Sequence, residues 1–476
     1  MVKWQARDII KALNLKGGVS LSFQATGISI DSRTLKPGEI FIAIQGGTFD
    51  GHHFIKDAID KGAAGVIISQ PPPVLLTDYT YFVVPDTLQA LTQLGQYARQ
   101  RSAAQVIAIT GSAGKTTTKE WLAHILRNFG STVFSKDSYN NQFGVPLSLS
   151  NLEPHSTFGV FEVGMNHGGE IEPLTKLIQP HVAIITTITE AHLGYFQSLD
   201  SIAEEKAKIF TGLQPDGTVI LNYNSPYFDL LSQRAKEYGA KTLISVGTTK
   251  GADIQLLDSR YDATVHKTWI QIKIYDQVLS YSLAALGEHY ILNSLMVLAA
   301  TYTLGLDLEK ALQAIEHLQP LAGRGHRHTI CLGPDKTITL IDDAYNAHPA
   351  SMKLGLESFS QIHLPGRRIA VLGEMRELGD KSAAYHQELI PLLEQANVDL
   401  IFATGAYLKP VFDAFPTRKQ GAFAEDAEAL WQPLIDSLED GDVVFIKGSN
   451  GTKVYTLVHK FLSLNQDVLS SQLGVV

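Results

Sequence analysis

Short apolar runs recur along this chain, each followed by a stretch with helical spacing. "QVIAIT", "TFGVFEVG" and "HVAIITTI" are rich in β-branched residues and nearly free of polar ones, the pattern of strands buried on both faces. After them come "KTTTKEWLAHILRNFG", "GEIEPLTKLI" and "LDSIAEEKAKIFTGL", whose spacing predicts helices. In the last, Ile202, Ile209 and Phe210 mark the core face, and Lys206 falls at its edge, four residues after Ile202. Strand alternating with helix predicts a parallel sheet with helices on both faces. "TWIQIKIYDQVLSYSLA" instead alternates apolar and polar residues, which predicts antiparallel strands added at a sheet edge. The run at 290–305, "YILNSLMVLAATYTLG", is too short to span a bilayer and contains Asn293 and Ser294, so a buried helix is expected.

The same reading divides the chain. Residues 1–99 form a small α/β unit with strands at "GEIFIAIQG" and "AAGVIISQ". Between them lies a helix in "DGHHFIKDAIDKGA", carried by Phe54, Ile55, Ala58 and Ile59 and ended by Gly62. "QPPPV" is a turn, and "DTLQALTQLGQYARQRS" is a helix leading into the next unit. Residues 100–320 hold the first strand–helix series. From 321 to 476 a second follows, through "TITLIDDAY", "RRIAVLG", "VDLIFATG" and "DVVFIKGSNG". Each strand ends in a glycine or polar turn at its carboxyl end, where open α/β sheets bind ligands.

Composition removes alternatives more than it adds. With 45% hydrophobic and 18% charged residues, the chain is an ordinary globular one. A net charge of −9 gives no general attraction to nucleic acid or an anionic membrane; an anionic substrate must meet local cations. Cys331 is the single cysteine, so no internal disulfide forms and a reducing compartment fits. "MVKWQARDII" lacks the apolar segment of a secretory signal. A cytoplasmic protein without membrane insertion is expected.

"AITGSAGKTTTKEW" carries the first chemistry. Gly114, Lys115 and Thr116 complete a phosphate-binding loop, but Ile109 stands where the strict pattern has its first glycine, and Gly111 is two positions late. The context fits, with a strand before and a helix after. Gly111 and Gly114 free the backbone so that amides can face phosphate oxygens, and the helix N-terminus adds its dipole. Lys115 can reach β- and γ-phosphates, and the Thr116 hydroxyl can ligate Mg²⁺. An incidental lysine in a tight turn is the competing reading. Glu162, closing an apolar run in "FEVGMN", is either a second Mg²⁺ ligand or a solvated strand-end carboxylate.

"TGSAGKT" resembles the ATP loop of the Mur ligases, which join amino acids or a dipeptide to UDP-linked muramoyl peptides. The resemblance continues through "ISIDSRTLKPGEIFIAIQGGTFDGHHFIKDAIDKGA", "FEVGMNHGGEI", "TEAHLGYFQSLDSIAEEKAKIFTGL", "GEHYILNSLMVLAA", "GRGHR", "IDDAYNAHPASM", "VLGEMRELG" and "VFIKGSNG", in the family's order and over essentially the whole chain. It implies an α/β fold of three domains: a small N-terminal UDP-binding unit, a central P-loop ATPase-like sheet domain and a C-terminal Rossmann-like domain. "DDAYNAHP" and "VLGEMRELG" are most similar to the member that adds D-alanyl-D-alanine to UDP-N-acetylmuramoyl-tripeptide. Two positions depart: Asn450 stands where the family usually has Arg, and His348 where Asn is usual.

The resemblance also implies roles. Thr110, Gly111, Ser112, Ala113, Gly114, Lys115, Thr116 and Thr117 would cradle ATP, Asn293 would contact adenine, and Arg324 and Asp343 would reach the nucleotide from the third domain. Thr116, Glu162, His192 and a carbon dioxide-modified Lys206 would hold Mg²⁺. Asn346 and His348 lie near the expected dipeptide site. Asn140 and Asn141 would contact the UDP-tripeptide, or form a plain Asn-rich turn. Ser32 and Arg33 would contact uridine diphosphate, or belong to a capped turn before Pro37. Asn293, Arg324, Asp343 and His192 could each be an ordinary structural polar residue, and Lys206 a lysine with its stem on apolar surface. The expected state is a monomer. Rivals are a folate-type ligase of the same fold, an ATPase that only hydrolyses, and a non-catalytic nucleotide-binding module.

Overall fold

The computed structural model describes residues 3–16, 22–47, 49–71, 79–190, 193–362 and 366–472. Its largest sheet runs, edge to edge, through Gln277–Leu283, Lys267–Ile274, Ile254–Asp262, Thr242–Gly247, Thr218–Asn222, Val182–Ile185, Gln105–Thr110, Phe158–Glu162 and Thr132–Phe134. From Thr132–Phe134 to Ile254–Asp262 neighbouring strands are parallel. The two outermost on the far side are antiparallel, as their alternation predicts.

Alternation across one strand explains both faces. Ile107 and Ile109 point into a core with Trp121, Leu122 and Ile125 of helix Lys115–Leu126 and Leu295, Met296 and Leu298 of helix Glu288–Thr303. Val106 and Ala108 point the other way, toward Ile171, Leu174, Ile202 and Phe210. Strand Gln105–Thr110 has the later Phe158–Glu162 on one side and Val182–Ile185 on the other. Connections leaving a strand in opposite directions open a crevice at the carboxyl ends. The glycine-containing turn at 111–114 sits at that crevice.

The third of the larger sheets in chain order runs His326–Gly333, Lys336–Asp343, Val443–Lys447, Arg368–Gly373, Leu400–Thr404 and Gln420–Ala424, parallel after the first pair. The N-terminal sheet is parallel through Gly27–Ser29, Glu39–Ile42, Gly65–Ile68 and Tyr81–Val83. Helix Thr87–Arg101 joins it to the large sheet: the buried Arg99 donates to the carbonyls of Ile178 and Gln179 at 2.7 and 2.9 Å.

Local differences from expectation have local causes. "DGHHFIKDAIDKGA" opens as a 3-10 turn, Gly51–Phe54, before helix Ile55–Asp60. There the Asp50 carboxylate accepts from the His52 backbone and a side chain on Gly51 would strike the backbone of Ile44. "LDSIAEEKAKIFTGL" tightens from helix Leu199–Ala207 into 3-10 turn Lys208–Gly212, where Gly212 packs on the carbonyl of Thr175.

Candidate active site

Glycine geometry builds the phosphate loop. Gly111 has φ 149° and Gly114 φ 80°, conformations that side chains disfavour. A Cβ on Gly111 would collide with Thr186, and one on Gly114 with the Asn293 carboxamide. The Ser112 amide donates to the Thr187 carbonyl at 2.7 Å and its hydroxyl to the Thr189 carbonyl at 3.0 Å. Helix Lys115–Leu126 starts directly after Gly114. The Lys115 ammonium folds back onto the carbonyls of Gly111 and Ser112, at 2.8 and 3.4 Å. Burial lowers its pKa; Glu162 opposes that and Arg324 adds to it.

Glu162 anchors the opposite side. It is 1% exposed, and its two oxygens accept from the Thr116 hydroxyl and the Asn140 amide, each at 2.8 Å. The third sheet reaches the same point. Arg324 donates to the Thr116 hydroxyl at 2.9 Å, and its guanidinium lies 4.3 Å over the Tyr345 ring. The Tyr345 hydroxyl bonds that of Ser138, and the Gly194 amide donates to the Glu377 carbonyl at 3.0 Å.

Deeper in the third sheet, Asp343 pairs with Lys447 on the neighbouring strand at 2.7 Å. Lys447 also donates to the Asn346 carbonyl at 3.2 Å. Burial raises the Asp343 pKa, with Lys447 pulling it down. His289, at the start of helix Glu288–Thr303, is pushed down to about 4 by burial, so its imidazole is neutral. These groups line one cavity of about 1360 Å³ between the two sheets. Phosphate-binding backbone, a fixed lysine, a hydroxyl–carboxylate pair and cations from an opposing sheet can hold a nucleotide triphosphate beside a second substrate.

The chain matches the Mur ligase middle domain over residues 109–301, the Mur ligase glutamate ligase domain over 326–450 and the Mur ligase family catalytic domain over 24–113. It is 32% identical to a UDP-N-acetylmuramoyl-tripeptide--D-alanyl-D-alanine ligase of Rickettsia prowazekii, covering 96% of this chain and 99% of that one. The chain belongs to the Mur ligase family. A Bacillus subtilis ligase of the same name is 31% identical, covering 91% of this chain and 92% of that one. A solved MurF from Acinetobacter baumannii has TM-score 0.82 and 30% identity, covering 97% of this chain and 99% of that one. A Thermotoga maritima MurF ligase in complex with ADP has TM-score 0.76 and 26% identity, covering 93% and 98%.

Within this Mur ligase the sequence-predicted residues fall into groups. Ser112 to Thr117, Asn140, Asn141, Glu162, Asn293, Arg324, Asp343, Asn346 and His348 all line the cavity. Thr110 is fully buried at the strand end and Gly111 shapes the turn. The Asn141 carboxamide oxygen is taken by the amides of Phe143 and Gly144, at 3.1 and 3.0 Å, and so caps helix Gly144–Ser150. His348 begins helix Pro349–Ser360, its Nδ1 accepting from the Ser351 amide at 3.4 Å.

Lys206 does not line the cavity but is 2% exposed. Burial sets its pKa well below the lysine range; Lys115 adds to this and Glu205 opposes it. Ser32 and Arg33 are not in the cavity lining: the Ser32 carbonyl accepts from Lys61, and Arg33 forks onto Asp31. His192 lies outside the described residues. Sequence reasoning missed Lys447, Ser138 and Tyr345. The signal for Lys447 was present, a lysine closing the apolar run "VVFIK" at a strand's carboxyl end.

Proposed function

We propose that this Mur ligase joins D-alanyl-D-alanine to UDP-N-acetylmuramoyl-tripeptide, using ATP and Mg²⁺, and yields the pentapeptide precursor of peptidoglycan. The observation that carries this reading is one cleft holding the phosphate loop, Glu162, Arg324 and Asp343, in a chain similar along nearly its whole length to ligases of that name. The reaction takes place in the cytoplasm, on a single chain of three domains bounded near 100 and 320.

The residues suit the chemistry. A tripeptide carboxylate oxygen attacks the γ-phosphorus, the bond to the β–γ bridging oxygen breaks, and ADP leaves. The dipeptide amine then attacks the acyl carbon of the acyl phosphate, a proton is lost from nitrogen, and phosphate departs. Negative charge builds in both steps. Lys115 and the loop amides meet it on one side and Arg324 on the other. Asn293, which lies against Gly114, would contact the base, and Asp343 the ribose.

The donor atoms also fit a hard cation. No group of three or more His, Cys, Asp or Glu able to hold a metal occurs among the described residues. The Thr116 hydroxyl and Glu162 carboxylate meet at 2.8 Å, and Mg²⁺ typically takes one or two protein oxygens plus phosphates and water. Thr116 and Glu162 would hold that ion, which neutralises phosphate charge when bound. Lys206 supports a second site. A buried lysine with a lowered pKa gives up its proton more readily and is then nucleophilic toward carbon dioxide, and its carbamate would offer oxygens where an ammonium would repel metal; His192 would be the further ligand.

The contacts of Arg324, Tyr345 and Glu377 with the large sheet support a closed reacting state that excludes water from the acyl phosphate. The acyl phosphate itself is testable with tripeptide labelled by ¹⁸O in its terminal carboxylate. One label per turnover should appear in the released phosphate. Label retained wholly in the peptide products would refute the activation route.

A further inference from the structure

The cleft contains a cation with no assigned role. Arg376 follows strand Arg368–Gly373 and lines the cavity beside Asn450 and Gly451. Its surrounding backbone is fixed. The Met375 amide donates to His386 Nε2 and the Arg376 amide to the Ser449 hydroxyl, each at 2.9 Å. Glu377 is left-handed at φ 63°, with its carbonyl taken by Gly194. The side chain is held loosely: it is 52% exposed, and its ion pair with Glu374 spans 3.7 Å, longer than a hydrogen bond. By contrast Lys115 is held by loop carbonyls, Arg324 by Thr116 and Lys447 by Asp343.

The guanidinium lies against the Gly451 backbone, where any side chain would collide with Nη1. Asn450 is exposed next to it and carries no charge. The dipeptide approaches amine first, so its carboxylate trails behind the reacting centre. A carboxylate entering a cleft needs a partner, and a guanidinium fork matches it best.

We propose that Arg376 binds the carboxylate of the incoming dipeptide, its guanidinium reaching along Gly451 from the loop after strand Arg368–Gly373 into the cleft. This rests on the dipeptide-ligase reading. Arg376→Gln and Arg376→Ala enzymes are compared with the parent using D-alanyl-D-alanine and its C-terminal amide. Losing one charge-assisted contact should raise the dipeptide KM about ten- to a hundredfold, leave the KM values for ATP and UDP-tripeptide within about twofold of the parent, and erase the preference for acid over amide. Because the side chain is half exposed, melting should be unchanged, and adding Asn450→Arg to Arg376→Gln should restore the acid preference. An unchanged dipeptide KM, equal losses for acid and amide, or an effect confined to UDP-tripeptide would overturn the proposal. A parent enzyme with no dipeptide-dependent turnover would sink the underlying reading instead.

Discussion

Lys115→Met removes one charge from the phosphate loop and little else. The methionine keeps the apolar stem. What is lost from the free protein is two hydrogen bonds to loop carbonyls, at 2.8 and 3.4 Å, each contributing about 1 kcal/mol or less. In a domain of the size matched over residues 109–301, about 1 kcal/mol moves the melting point by roughly 2–4 °C, so the variant should melt within about 5 °C of the parent. Catalysis should suffer far more. A unit charge roughly 4 Å from a developing phosphoryl charge, at an effective dielectric near 20, interacts by about 4 kcal/mol. At tenfold for each 1.36 kcal/mol, that is about a thousandfold in kcat/KM. The assay is coupled ADP release with UDP-tripeptide and dipeptide saturating and ATP varied, so that kcat and kcat/KM for ATP are both read, beside a thermal melt. A folded Lys115→Met enzyme keeping more than about a tenth of parental turnover would refute the phosphate-loop argument.

Three further substitutions test other parts. Lys206→Arg keeps a charge but cannot readily form a carbamate: activity should largely vanish, and a ¹³C-bicarbonate carbonyl signal present in the parent should be absent. Lys447→Met strands the Asp343 carboxylate, 18% exposed, without its partner; it should cost about 3 kcal/mol in urea unfolding, most of it recovered by adding Asp343→Asn. His386 accepts from Met375 through Nε2 and donates to the Ser382 carbonyl through Nδ1 at 2.6 Å, and burial lowers its pKa from 6.5. The unfolded chain therefore takes up the proton first, so this stabilisation is present above pH 6.5 and fades as pH falls toward the lower folded value. Parental melting should accordingly drop more between pH 7 and 5 than that of His386→Gln, whose amide oxygen can keep the Met375 contact without titrating.

What could be read from the sequence was local. The run "QVIAIT" followed by "TGSAGKT" specified strand, turn and helix within a dozen residues, and the structure has all three. The antiparallel edge was legible because "TWIQIKI" alternates with period two. Strand order was not. Val443–Lys447 comes last in the chain yet inserts between Lys336–Asp343 and Arg368–Gly373, and only that insertion places Lys447 against Asp343. The Ser138–Tyr345 and Arg324–Thr116 contacts likewise depend on how two sheets face each other, which no periodicity encodes. Lysines misled in the same way. Helical spacing put Lys206 at the edge of the core face, but it is nearly fully buried. Lys119 drew no notice, yet its buried amine donates to the carbonyls of Ser135 and Asp137, both at 2.6 Å, and meets Glu120 at 2.9 Å. Those acceptors come from a loop more than a dozen residues away, and they secure the segment that carries Ser138 and Asn140 into the cleft.

If this cleft couples ATP cleavage to amide formation with a dipeptide, neither should proceed without the other. The most direct measurement is phosphate release from ATP, with Mg²⁺ and UDP-N-acetylmuramoyl-tripeptide present and D-alanyl-D-alanine added or withheld. One phosphate should be released per pentapeptide formed, and release should nearly stop without the dipeptide. Sustained release at the same rate in its absence would contradict that coupling and identify the chain as a hydrolase.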